Sequence, residues 1–310
     1  MTSGYQALRE SAAWYDVSAR GKIYARGEDR KRLLHAMTTN HIENLEPGQG
    51  LYAFFLTAQG RIIADADIFA LEDALLLDTE PGMGRKLYEH LDKYIIADDV
   101  ALEDATEALA TLEVSGPAAE EMLKRLHAPL PQVDHSFTRW DTEIVARVTS
   151  TGAPGVRILT PATEKEELIL ALEEGGIVRA DEESWDTVRL ENGTPRYGVD
   201  VRDTNLPQET QVMRALHFQK GCYIGQEIVE RVRSRGHVNR LLVPLAIDAT
   251  TAPAPAEKVM SDGKEVGEIT SARYSPALQQ VVALAYVRAE AMQSALQCGG
   301  TAVSLRSHQA

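Results

Sequence analysis

The sequence predicts an α+β protein that ends in a small all-β module. Short apolar or alternating segments come in groups separated by turn-forming residues, with amphipathic helical stretches between the groups. No G-x-G-x-x-G follows a strand segment, so a doubly wound dinucleotide fold has no support. Connections this short leave no room for crossover helices, and neighbouring strands are expected to pair antiparallel.

Lys22–Arg26 reads as a strand, and Asp29–Met37 as a helix with Leu33, Leu34 and Met37 on one face. Leu51–Thr57, Arg61–Leu71 and Ala74–Asp78 are strands, punctuated by Pro47-Gly48, Gly60 and Glu72-Asp73. Met83, Leu87, Leu91 and Tyr94 recur at helical spacing, predicting a helix from Met83 to Ile95. Ala110–Val114, Ile144–Thr149 and Gly155–Thr160 are strands. Pro117 suits the first turn of a helix carrying Met122, Leu123 and Leu126. Thr163-x-x-Glu166 has the form of a capping box ahead of Leu168–Leu172. Asp181–Glu191 is an acid-rich helix, and Arg231, Arg233 and Arg235 alternate as they would along one face of a strand. After Arg240–Leu245, the small, Pro-rich stretch Asp248–Glu257 leads into strand segments at Glu265–Thr270, Val281–Val287 and Ala302–Leu305. These make residues 241–310 a separate β module.

Length and composition narrow the class. With 310 residues the chain exceeds one typical core, so two or three modules are expected. Hydrophobic content of 44% with 25% charged residues is ordinary for a soluble globular protein. No run approaches the length of a membrane span, and the N-terminus lacks a basic start and apolar stretch, so a cytoplasmic location is expected. Two cysteines, Cys222 and Cys298, give neither a disulfide framework nor a self-sufficient cluster or metal site. A net charge of −14 opposes a phosphate backbone, so direct nucleic-acid binding is not expected. From Met213 to Leu242, however, six basic residues face Glu227 and Glu230, a local excess suited to a small polyanion.

The most informative segment is Lys220 to Glu227, K-G-C-Y-I-G-Q-E. Lys220 lies two positions from Cys222, where a cation favours the thiolate, and Gly221 and Gly225 permit unusual backbone on either side. A buried cysteine in an ordinary turn is the simpler reading of the same spacing. The octapeptide resembles the signature of YgfZ-type folate-binding proteins, relatives of the glycine-cleavage T-protein (aminomethyltransferase). Other segments resemble that superfamily: Arg189-Leu190-Glu191-Asn192-Gly193 with Pro195, Tyr197 and Gly198; Gly267–Ser271 with Ser275–Leu278; Thr38-Thr39-Asn40; and Gly60–Ile63.

The resemblance implies two α+β modules and a C-terminal β-barrel around a central folate channel. One module would be discontinuous, residues 1–47 with 131–240, and the other would span 48–130. It implies tetrahydrofolate or a derivative as ligand, with the Glu191 carboxylate forking onto the pterin edge. Arg189, Tyr197 and Tyr223 would line the pocket, and Arg231 and Arg233 would grip the glutamate tail. T-proteins carry adjacent acids after G-x-I-I, whereas here Ala64 precedes Asp65. Asp65 is the remaining candidate for the carbon-transfer acid, although Asp65 and Asp67 also read as the outward side of a half-buried strand. Cys222 stands where T-proteins usually carry an acid.

That exchange favours a monomeric accessory protein supporting iron–sulfur cluster assembly or repair in client enzymes, among them those of tRNA modification, with Cys222 and Lys220 as its reactive pair. The alternative is a tetrahydrofolate-dependent aminomethyltransferase, and a binding-only folate module is the third reading.

Overall fold

The computed structural model describes residues 2–307 apart from residue 237. Along the first half run α1 (Ser3–Glu10), β1 (Ala13–Asp16), β2 (Gly21–Arg26), α2 (Arg30–Met37), β3 (Gly50–Leu56), β4 (Ile62–Ala70), β5 (Ala74–Thr79), α3 (Gly84–Asp92), β6 (Ala101–Asp104), β7 (Leu109–Ser115), α4 (Ala119–Arg125), β8 (Phe137–Trp140), β9 (Glu143–Ala146) and β10 (Gly155–Pro161). The second half adds α5 (Lys165–Glu174), β11 (Val178–Arg179), α6 (Glu182–Glu191), α7 (Gln226–Arg235), β12 (Arg240–Ile247), β13 (Lys258–Ser261), β14 (Lys264–Ser275), β15 (Gln280–Arg288), β16 (Leu296–Cys298) and β17 (Thr301–Leu305).

The strands form two open sheets and a closed barrel. One sheet has the order β11-β1-β7-β10-β9-β8, the other β3-β4-β5-β2-β6, and the barrel runs β12-β15-β14-β13-β16-β17. Pairing is antiparallel as expected from the short connections, except for β1 with β11. Sheet membership does not follow the expected module ranges: β2 shares a sheet with β3–β5, while β1 and β7 share the other.

Each open sheet buries its outer face under helices. Leu33, Leu34 and Met37 of α2 and Leu87 and Leu91 of α3 pack on Ala64, Ala66 and Ile68 of β4. Leu123 of α4 and Leu168 and Leu172 of α5 pack on Leu112, Val114 and Ile158 of the second sheet. The inner faces meet each other, with an apolar zone of Phe69, Leu76, Phe137 and Leu159. Burial of these side chains is the main stabilising contribution, about 1.5–3 kcal/mol for each large one. The barrel has its own core around Leu245, Val259, Ile269 and Val287.

Several local expectations are corrected. The 83–95 helix is shorter, and Tyr94 lies beyond it, 43% exposed. Thr163 sits in a 3₁₀ turn and α5 starts at Lys165 with no side-chain cap, so the capping box does not form. Arg231, Arg233 and Arg235 lie on α7, where residues two apart point to opposite sides, so the expected single row is absent. Asp65 and Asp67 do alternate with apolar neighbours, but their side of the strand is covered by the second sheet and both are buried.

Candidate active site

The inner face of the β3-β4-β5-β2 sheet carries polar side chains in register. Tyr52 lies opposite Asp67, Asp67 opposite Asp78, and Asp78 opposite Lys22; one register step away, Phe54 lies opposite Asp65. Across the gap the second sheet presents Tyr15, Glu113 and Arg157 as cross-strand neighbours. The buried Arg157 joins the sheets, donating to Asp67 at 2.6 Å, Asp78 at 2.8 Å and Glu113 at 2.8 Å. Arg20, also buried, binds Asp78 at 2.7 Å and the Glu80 carboxylate, whose other oxygen takes Arg196 at 2.8 Å. Burial alone would raise the Asp67 and Glu80 titrations, but the surrounding guanidiniums outweigh it and hold both below the usual carboxylate range. Burial lowers the Lys22 ammonium to about 8.

At one end of this charged layer is a cavity of about 260 Å³. Tyr15 and Trp185 stack on each other in its wall with ring centroids 5.3 Å apart, and Arg20, Glu80, Arg189 and Arg196 also line it. The aromatic pair supplies a surface for a flat heterocycle, and the arginines supply hydrogen-bond donors.

Asp65 sits within the electrostatic reach of Glu80 and Arg20 and is 6% exposed. Burial, reinforced by the Glu80 charge, raises its carboxyl to about 7 against the opposing effects of Tyr52 and Arg20. Its Oδ2 accepts the Tyr52 hydroxyl at 2.6 Å, while its buried Oδ1 has no partner among the described residues. Ala64 points the other way, into the helix-covered core.

The other sequence candidates separate from this centre. Glu191 is buried with both oxygens engaged: Oε1 accepts from Tyr5 and, at 2.5 Å, from Ser275, and Oε2 pairs with Arg9 at 3.1 Å. It ties α6 to α1 and the barrel. Arg189 touches the cavity, but its donors go to Asp186 at 2.8 Å, Thr194 O at 2.7 Å and Asp200 at 2.7 Å. The Tyr197 hydroxyl bonds the Ile63 carbonyl on β4.

Cys222 is an exposed free thiol. The Lys220 ammonium turns inward to the carbonyls of His35 and Thr38, so the expected lysine–thiol pairing is not made. Burial lowers Lys220 to about 7, and its ammonium lies 4.8 Å from the centre of the Tyr223 ring. Arg231 pairs with Glu227 at 2.6 Å on the helix surface, and Arg233 covers the Phe218 ring at 4.5 Å. The side chain of Arg235, and His237 beside the loop, lie outside the described residues.

Sequence reasoning missed Tyr15, Trp185, Arg20, Glu80, Arg196, Arg157 and Tyr52. Trp185 alone left a signal, as a large aromatic in the acid-rich segment E-E-S-W-D.

Two antiparallel sheets packed face to face, a closed C-terminal barrel and a charged layer with a cavity define a T-protein fold. Residues 1–220 match the GCVT N-terminal domain and residues 240–303 the glycine cleavage T-protein C-terminal barrel domain. The chain therefore belongs to the glycine-cleavage T-protein family. It is 31% identical over 292 residues to an aminomethyltransferase of Pelodictyon phaeoclathratiforme, covering 90% of this chain and 80% of the relative. It is 28% identical over 295 residues to one of a Picosynechococcus species, covering 92% and 81%. The crystal structure of glycine cleavage system aminomethyltransferase T from Bartonella henselae superposes with a TM-score of 0.89 at 19% identity, covering 98% of this chain and 87% of that one. That likeness confirms the α+β fold with its barrel.

These relatives overturn the expectation of an iron–sulfur accessory protein and favour the aminomethyltransferase alternative. No helix among the described residues is long and apolar enough to cross a membrane.

Proposed function

We propose that this chain is a tetrahydrofolate-dependent aminomethyltransferase of the T-protein type. The observation that carries the reading is the buried acid Asp65 under the influence of Glu80 and Arg20, which line an aromatic-walled cavity, in a chain whose relatives at 28–31% identity bear that name. The cavity offers a flat bicyclic ring the wall made by the stacked Tyr15–Trp185 pair, with Arg196 offering donors at its edge. Folate, when bound, supplies the nitrogen that accepts the one-carbon unit. Asp65, titrating near 7, is suited to hold or release the proton that accompanies loss of the amine. The wall of fixed charges around it needs no reorganisation during transfer.

Glu191 in this reading secures the junction of α1, α6 and barrel. The Lys220–Glu227 loop, with its thiol, lies outside the cavity lining.

Calorimetric titration of tetrahydrofolate, together with transfer from an aminomethylated lipoyl carrier, tests the proposal. Wild type should bind and turn over. Trp185→Ala should weaken binding about tenfold through the lost stacking surface, and Asp65→Asn should bind but lose most turnover. Absence of tetrahydrofolate binding by the wild type overturns the reading.

A further inference from the structure

We propose that Tyr52 is the positioning residue for Asp65: it holds Oδ2, so that Oδ1 is the oxygen that carries and exchanges the proton. The inference rests on the proposed transfer activity. Tyr52 lies on β3 diagonally across from Asp65 on β4, and its hydroxyl donates to Oδ2 at 2.6 Å. The phenol is itself held. Asn40 Nδ2 donates to the Tyr52 carbonyl at 2.9 Å and to the Arg214 carbonyl at 2.8 Å. The Arg214 guanidinium covers the Tyr52 ring at 5.2 Å, and Phe54 meets its edge at 5.5 Å.

A phenol has one proton to donate, and burial beside Asp65 keeps Tyr52 protonated far above neutral pH. The Tyr52 hydroxyl has no other acceptor among the described residues, so a proton on Oδ2 would leave the phenol proton without a partner, and the acid proton belongs on Oδ1. That oxygen is the one left without a partner among the described residues. The other charged or titratable groups that act on this pair are Glu80 from the end of β5, Asp67 from β4, Arg20 from the turn before β2, and Tyr197. None of them donates a hydrogen bond to either oxygen of Asp65.

The test is Tyr52→Phe, which keeps the ring. Loss of a hydrogen bond that favours the carboxylate should move the Asp65 titration up by about one pH unit. This is read by carbon-13 NMR of carboxyl-labelled aspartate, with Asp65→Asn identifying the signal. In the transfer assay kcat should fall roughly tenfold with KM for tetrahydrofolate little changed, and the limb of the pH profile set by Asp65 should move the same way. An unshifted Asp65 signal overturns the proposal. A shifted signal in a protein without transfer activity would leave the positioning intact and sink the proposed function instead. Should Tyr52→Phe fail to fold, fluorotyrosine at position 52 serves: its more acidic hydroxyl should strengthen the bond and move the Asp65 titration down, and no movement overturns the inference.

Discussion

Asp65 carries a charge that folding opposes. Its carboxyl titrates near 7 in the fold, against 3.8 for an unperturbed aspartate. Because the folded value is the higher one, the protonated form is favoured in the native state. The resulting cost is absent below about pH 4, grows as pH rises through this window and is complete above about pH 7. Asparagine keeps an acceptor for Tyr52 and cannot ionise. Asp65→Asn should therefore gain stability over wild type as pH rises from 4 to 7, reaching about 2–4 kcal/mol at pH 8. Thermal melts of both proteins across this range check it, and a constant difference would show that Asp65 is not the group under strain. The candidate was legible in the sequence as an acid after Gly60-Arg61-Ile62-Ile63; its burial was not. Outward alternation on a strand looks the same whether water or a second sheet lies beyond it. Glu191 shows the converse: its motif marked a carboxylate expected to bind a ligand, while the partners its oxygens take in the fold, Tyr5, Arg9 and Ser275, come from distant parts of the chain.

At the scale of elements, the informative case is α7. The alternation of Arg231, Arg233 and Arg235 suggested a strand, but Val229 and Val232 are spaced for a helix, and only Val229 is fully buried. Both ends are closed by glycines in left-handed conformation, Gly225 with φ 83° and Gly236 with φ 81°. Gly225 is also the point where α7 meets the β3–β4 turn. A Cβ there would lie 2.6 Å from the Thr57 carbonyl and 3.0 Å from the Leu56 Cβ. Close approach and positive φ thus require glycine at the same residue. Gly225→Ala should destabilise the protein by about 2–3 kcal/mol, measured by urea denaturation. A loss below about 0.5 kcal/mol would mean that the loop shifts freely and that the turn contact does not fix α7. The strands of the first sheet were legible because their apolar runs are long and Gly60 and Glu72-Asp73 punctuate them. β1, β6, β8 and β11 are two to four residues long and too short to show periodicity.

Across the whole molecule, the two open sheets are joined by opposite charges in the middle and apolar packing at one end. Arg157 is central to that joint, 2% exposed and shared by Asp67, Asp78 and Glu113. Composition records such residues only as ordinary charges, since pairing across sheets has no sequence period. Replacing Arg157 with methionine keeps much of the volume but leaves three carboxylates short of their cation. Arg20 still neutralises part of Asp78, so the loss should be about 3–5 kcal/mol, as for a broken buried ion pair. The pH dependence separates this cause from simple loss of packing. Without the guanidinium, burial dominates and pushes the freed carboxyls above their unfolded values. Their cost is then largest at high pH and shrinks as pH falls through the raised values. Denaturation of Arg157→Met and wild type at pH 5 and pH 8 should show a clearly smaller deficit at pH 5. Equal deficits at both values would mean that Arg157 acts through its bulk, and that charge pairing is not what holds the two sheets together.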